Sequence, residues 1–179
     1  VKTLGSMEEV WEAFRPELNE VEVQIQKHLH SHAPLINTVA DHILSSGGKR
    51  IRPLLLILSA RLFGYLEKDF LLLGSLIEFI HTATLLHDDV LDEADVRRGE
   101  KTARRIWGNH ASILVGDYLY SQAMALIASF HNHDINELMA DACRKMAEGE
   151  ILQLCANSQP DLTKEAYLKI VEYKTATLV

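Results

Sequence analysis

The sequence predicts an all-α protein, a compact helical bundle in one domain spanning 1–179. Three observations lead there. Apolar residues recur at helical spacing along nearly the whole chain, with no strand-like alternation and no internal repeat. Only four prolines occur, at positions 16, 34, 53 and 160, each where a helix could start or pause. The segments between periodic stretches are short, as between the helices of a bundle.

Taken in order, residues 7–31 bring Val10, Phe14, Leu18, Val21, Ile25 and Leu29 near helical spacing, which predicts one amphipathic helix. A second is expected from Pro34 to Ser45, stopped by Gly47-Gly48, which suit a C-terminal cap and turn. Pro53 then falls in the first turn of a third, LLLILSARLFG, where its missing N–H costs little. Residues 68–93 form a fourth, apolar around its circumference until an acidic end, and therefore expected to be buried on all sides. Further helices are expected over about 110–131, 134–156 and 163–179.

Composition bounds the function classes. With 179 residues, 47% of them hydrophobic and 24% charged, the chain suffices for one domain with a sizeable core. A net charge of −7 argues against a general nucleic-acid binder, which shows a basic face. The two cysteines, Cys143 and Cys155, suggest neither a disulfide framework nor a zinc ligand set. The N-terminus lacks a signal-peptide design, and no apolar run is read as long enough for a membrane span. A soluble protein of the reducing cytoplasm is expected.

The chemistry concentrates at 87–99, HDDVLDEADVRRG, which follows directly on the apolar run LIEFIHTATLL. On a helix Asp88 and Asp92 are i and i+4, so their carboxylates share one face a turn apart. Like charges so placed repel, and a structural helix gains nothing from them. A hard divalent cation reverses the balance, since Mg²⁺ is held by one or two carboxylates plus substrate phosphates. Arg97 and Arg98 then supply guanidinium groups that grip phosphate in a bidentate fork. Without a metal, the same residues would make a solvated acidic helix end with a surface salt-bridge network.

A second constellation is GGKRIRP at 47–53, with Lys49, Arg50 and Arg52 on a flexible turn before a helix. Glycines let backbone N–H groups approach an anion, and the helix N-terminus adds partial positive charge. The spacing is not that of a P-loop. An acidic metal site and a separate basic anion site suggest two phosphorylated substrates, one metal-bound and one not.

These blocks, with GDYLYSQA at 116–123, EGEILQL at 148–154 and YKTA at 173–176, resemble the trans-isoprenyl diphosphate synthases, or polyprenyl synthetases, in order and spacing along essentially the whole chain. The likeness is closest to the long-chain octaprenyl and heptaprenyl members. It implies a bundle of mostly antiparallel helices around a deep central cavity, paired as a homodimer. The implied reaction condenses isopentenyl diphosphate head-to-tail onto an allylic diphosphate, such as farnesyl or geranyl diphosphate, and releases pyrophosphate.

The resemblance implies residue roles as well. Asp88 and Asp92 would be Mg²⁺ ligands, with Asp89 in the same catalytic motif and two or three Mg²⁺ ions in a complete enzyme. Arg97, Lys174 and Thr175 would contact the allylic diphosphate, and Gln153 lies in a further motif block. Lys49, Arg52, His81 and Arg98 would hold the isopentenyl diphosphate. His81 stands seven residues before Asp88, two turns back on roughly the same face. Ala83 and Thr84 sit about one turn before Asp88, where a small residue leaves the channel open for a product longer than farnesyl.

One departure stands out. The family's second aspartate-rich motif is absent from the 179 residues, and 157–165, NSQPDLTKE, hold only scattered acids. The likeness therefore implies a little over half of a full enzyme, inactive or nearly so by itself. A non-catalytic partner subunit or scaffold of a prenyl synthase is the alternative. A terpene cyclase would share the aspartate-rich helix but have no need of the Lys49, Arg52 and His81 anion site.

Overall fold

A computed structural model describes residues 5–45, 47–157 and 161–179; Ser46 and the expected helix pause at Pro160 lie outside the described residues. The elements are α1 (Met7–Ala13), α2 (Arg15–Leu29), α3 (Pro34–Ser45), α4 (Ile51–Leu62), α5 (Asp69–Leu91), β1 (Val96–Arg97), β2 (Glu100–Lys101), α6 (Ala103–Trp107), α7 (Asn109–Ser129), α8 (His133–Ala156) and α9 (Lys164–Lys174). The protein is all-α apart from one short hairpin among the described residues. The chain divides into two compact units, Val1–Leu126 and Ile127–Val179.

In the first unit the expected 7–31 helix is two helices. Ser6 caps α1 by accepting a hydrogen bond from the Glu9 N–H, and Phe14 leaves helical geometry between α1 and α2. Pro16 explains the break: a proline ring inside a continuous helix clashes with the carbonyl four residues earlier, whereas the first turn of α2 accepts it. Val21, Ile25 and Leu29 turn one face of α2 into the core.

The helix α4 starts three residues before the expected apolar run, so Pro53 is its third residue, where no intrahelical N–H bond is lost. Its N-cap, Arg50, takes a left-handed backbone with φ 45°. Both α2 and α4 pack on α5 and come close at Gly74, where an added Cβ would lie 3.3 Å from Val21 Cγ2 and 3.6 Å from Pro53 Cβ.

The buried residues of α5 include Leu76, Phe79, Ile80, Ala83 and Leu86 and the polar Ser75, Glu78, Thr82 and Asp89. By length and composition α5 and α7 are each long and apolar enough to cross a membrane, which corrects the expectation that no run reaches that length. In α5 the apolar circumference serves burial inside the protein, since 61% of that window is buried there.

After α5 the hairpin turns through Arg98 (φ 53°) and Gly99 (φ 86°), positive at both central positions as a two-residue type I′ turn requires. Strands of two residues are too short to show alternation, so the hairpin was illegible in the sequence. Thr102 closes its base, with Oγ1 donating to the Ala94 carbonyl at 2.7 Å and N–H to that of Asp95 at 3.1 Å. The short α6 was also not expected; Gly108, at φ 85°, separates it from α7.

In the second unit Asn132 caps α8, accepting from the Asp134 and Ile135 N–H groups, and Thr163 caps α9, accepting from Ala166. The two helices cross closely at Gly149, where a Cβ would lie 2.5 Å from the Lys174 nitrogen and 2.9 Å from the Tyr173 carbonyl carbon. The helix expected over 163–179 ends at Lys174, and Ala176–Leu178 form a 3-10 turn.

Candidate functional site

The acidic end of α5 is fixed by α7. Ser112 Oγ, fully buried, donates to the Leu86 carbonyl at 2.9 Å. The His87 ring lies over Gly116, occupying the space a Cβ would fill, with Nε2 3.2 Å from the Ile113 carbonyl and 3.2 Å from Asp117 Oδ1. The glycine and aspartate of GDYL thus give His87 its seat, one residue before Asp88.

Asp88 is half-buried in the last turn and Asp92 is the exposed C-cap. The Asp92 N–H donates to the Asp88 carbonyl at 2.8 Å, so the helical turn continues and the expected i, i+4 relation holds. Asp89 behaves differently. It is 1% exposed and accepts from Arg97 Nε at 2.8 Å, an ion pair joining helix to hairpin. Among the described residues no group of three or more His, Cys, Asp or Glu side chains could hold a metal by itself. Asp88 and Asp92 carry hard carboxylate oxygens, the ligand type that Mg²⁺ takes together with phosphate oxygens.

A cavity of about 510 Å³ opens between the 47–52 segment, α5 and the hairpin, and Lys49, Arg52, His81 and Arg98 all line it. These four residues, from three separate stretches of the sequence, are those expected to share one anion. Arg98 extends from the hairpin over Gly48, where a Cβ would lie 3.2 Å from its Nη1. Arg52 Nε is buried without a hydrogen-bond partner. A buried donor left unpaired is costly, so this atom marks where an acceptor belongs. Burial, then the guanidinium groups of Arg52, Arg98, Arg97 and Arg50, pushes the His81 pKa down to about 4. The imidazole is therefore neutral at pH 7, with one N–H to donate.

The third cation of the turn is otherwise engaged. Arg50 Nε lies 2.5 Å from Glu22 Oε1 and Nη1 lies 2.8 Å from Glu78 Oε2, so the protein's own carboxylates occupy this guanidinium, which is not among the residues expected to hold the diphosphate. Sequence reasoning missed Glu78, which lines the cavity and whose burial raises its pKa against the pull of Arg50. Its signal was there: one carboxylate inside the apolar run LIEFIHTATLL, three residues before His81.

In the second unit Gln153, Lys174 and Thr175 line a cavity of about 340 Å³. The two later motif blocks therefore converge, with Lys174 Nζ 2.6 Å from Glu150 Oε2. Ala83 is 1% exposed in the core, and Thr84 Oγ1 is turned back to the His81 carbonyl at 2.7 Å.

The chain is similar along its length to known proteins. Octaprenyl diphosphate synthase of Escherichia coli K12 is 44% identical over 173 residues, covering 97% of this chain and 54% of that protein. A decaprenyl diphosphate synthase from Rhodobacter capsulatus superposes with a TM-score of 0.92 at 42% identity, over 96% of this chain and 53% of that one. A polyprenyl synthase from Caulobacter crescentus CB15, complexed with calcium and isoprenyl diphosphate, gives 0.93 at 39% identity, over 99% of this chain and 54% of that one. The chain spans about half the length of the relatives it matches. The polyprenyl synthetase family model matches residues 33–179, a stretch holding the glycine turn, the aspartate pair and the Lys174-Thr175 block, and the chain belongs to that family.

Proposed function

We propose that this chain carries the isopentenyl-diphosphate cavity and the first metal–diphosphate site of a trans-polyprenyl diphosphate synthase making a long-chain product. One observation carries the reading. Lys49, Arg52, Arg98 and a neutral His81 converge on one cavity in which a buried Arg52 N–H lacks an acceptor. A diphosphate supplies several acceptor oxygens at once, which such a donor set rewards.

Mg²⁺ held by Asp88 and Asp92 with diphosphate oxygens would supply Lewis-acid stabilisation of the departing pyrophosphate. Arg97 uses Nε on Asp89, which leaves its two terminal nitrogens for the allylic diphosphate. Lys49, Arg52 and Arg98 hold the second diphosphate, and His81 donates to it without adding charge. The allylic C–O bond breaks to pyrophosphate and an allylic cation. The isopentenyl alkene attacks that cation, a C–C bond forms, and the proton lost from the adduct passes to the released pyrophosphate. No dedicated catalytic histidine is needed.

Lys174 and Thr175 contact the allylic diphosphate on this reading, Ala83 and Thr84 bear on product length, and the complete enzyme is a cytoplasmic homodimer using two or three Mg²⁺. Prenyl transfer by the 179 residues alone is expected to be nil or nearly so, since they supply one carboxylate pair.

Titration calorimetry tests this. Isopentenyl diphosphate should bind without Mg²⁺, and Arg52→Ala should weaken it at least about tenfold, the cost of a lost charged hydrogen bond. Farnesyl diphosphate should bind only with Mg²⁺ and fail with Asp88→Asn. Mg²⁺-independent farnesyl diphosphate binding, or an unaltered Arg52→Ala, overturns the reading.

A further inference from the structure

The four cavity side chains differ in what holds them. His81 rises from the core helix α5, Arg52 from the first turn of α4, and Arg98 from a hairpin tied to Asp89 through Arg97. Lys49 has no such support. It is exposed, lies outside any helix or strand and follows Gly47 and Gly48. Its backbone is instead gripped from a distant element: Trp11 Nε1 donates to the Lys49 carbonyl at 2.8 Å across 38 positions of sequence.

The element that supplies this bond is itself weakly held. The helix α1 has seven residues and none is buried. A helix that short is marginal in water unless packing supports it. Its other side-chain hydrogen bonds among the described residues are local: the Glu9 N–H donates to Ser6 Oγ, the Gly5 N–H to Glu9 Oε2 and Arg15 Nη2 to Glu12 Oε1. The Trp11 indole is thus the hydrogen bond by which α1 reaches the cavity rim. Arg50, next in sequence, is fixed to Glu22 of α2, so the restraint on Lys49 starts on both sides of its carbonyl.

We propose that Trp11 is a positioning residue for the diphosphate cavity, and that α1 and isopentenyl diphosphate stabilise each other through Lys49. This rests on the cavity being a diphosphate site. Lys49 can meet a phosphate oxygen only when its backbone is placed, and Trp11 places it. Linkage makes the effect reciprocal: if a docked α1 tightens binding, the bound diphosphate must hold α1 docked by the same factor. Trp11 touches no substrate; it acts through Lys49.

The protein holds only two tryptophans, Trp11 and Trp107, so Trp107→Phe leaves Trp11 as the sole indole reporter. Trp107 packs on a different residue, edge-on to His42 at 5.2 Å between ring centroids. In that background, isopentenyl diphosphate should shift Trp11 emission and slow hydrogen exchange over residues 7–13. Trp11→Phe keeps an aromatic ring and removes the N–H; it should weaken isopentenyl diphosphate about three- to tenfold, the range for one net hydrogen bond. The same variant should leave Mg²⁺-dependent farnesyl diphosphate binding unchanged. Exchange in the unsubstituted chain needs no variant to fold and is decisive by itself. Unmoved exchange in α1 on ligand binding, or wild-type affinity in Trp11→Phe, overturns the proposal. The two readings fail separately: loss of binding in Arg52→Ala with no change in Trp11→Phe sinks only the role of Trp11. Unchanged binding in Arg52→Ala sinks the cavity reading and this one with it.

Discussion

The buried carboxylate of Asp89 accepts a hydrogen bond from Arg97 Nε at 2.8 Å, and this pair anchors the hairpin that carries Arg98 to the end of α5. Two neighbouring aspartates thus have opposite surroundings, Asp88 half-buried at the helix end and Asp89 wholly enclosed. Asp89→Ala should destabilise the protein by about 1–3 kcal/mol, below the range for a fully buried pair because Arg97 is a third exposed. Asp89→Ala with Arg97→Ala should cost less than the sum of the single changes. Urea denaturation of the three variants measures the coupling; strict additivity would show that the pair does not tie helix to hairpin.

Arg50 neutralises Glu78, whose side chain is 5% exposed. Arg50→Ala leaves that carboxylate facing Arg52 alone, and a cost of about 2–4 kcal/mol is expected at neutral pH. Burial already raises the Glu78 pKa, and losing Arg50 raises it further, so the cost should shrink as pH falls. Denaturation at pH 7 and pH 5 checks both size and trend. A left-handed φ at Arg50 favours glycine, so Arg50→Gly relieves strain yet should still be destabilised by the stranded Glu78.

His81 ties stability to pH with a definite sign. Its folded pKa, about 4, lies below the ordinary 6.5, so the unfolded chain binds the extra proton first. The contribution is whole above pH 6.5 and is lost as pH falls through about 4. The gap amounts to on the order of 3 kcal/mol. His81→Gln should therefore lose less stability than the wild type between pH 7 and pH 4. A bound diphosphate offsets the guanidinium charge, so binding near pH 5 should take up protons, seen as a buffer-dependent calorimetric enthalpy.

Gly149 is where α8 and α9 touch backbone to backbone. A methyl there meets the Lys174 nitrogen at 2.5 Å, and backbone cannot step aside as a side-chain tip can. Gly149→Ala should cost about 1–3 kcal/mol despite the better helix propensity of alanine. It should also displace Lys174 and Thr175 from the cavity they share with Gln153. Thermal unfolding and the chemical shifts of residues 173–175 report these two effects.

Much of the fold was legible in the sequence. The span 34–45 was read to the residue, and 68–93 and 134–156 to within two at each end, because long apolar periodicity and glycine or proline punctuation are local signals. The break at Phe14, the two-residue strands and α6 were not, since each is shorter than the window in which a period can be counted. Glu78 and Trp11 escaped notice because a single carboxylate on the apolar α5, or a single indole N–H on the exposed α1, declares its partner only once another element arrives.

By itself the sequence determined the helical class and the aspartate pair a turn apart, and its family resemblance pointed to the cations and His81 as candidates for a second anion. Family membership was readable from the same motifs. Tertiary structure decided which of these residues are available. It turned Asp89 inward to Arg97, committed Arg50 to Glu22 and Glu78, and set Lys49, Arg52, His81 and Arg98 around one cavity. The reason is physical: helical spacing places a side chain on a face, but only the neighbour packed there fixes whether its charge is spent on protein or left for a ligand.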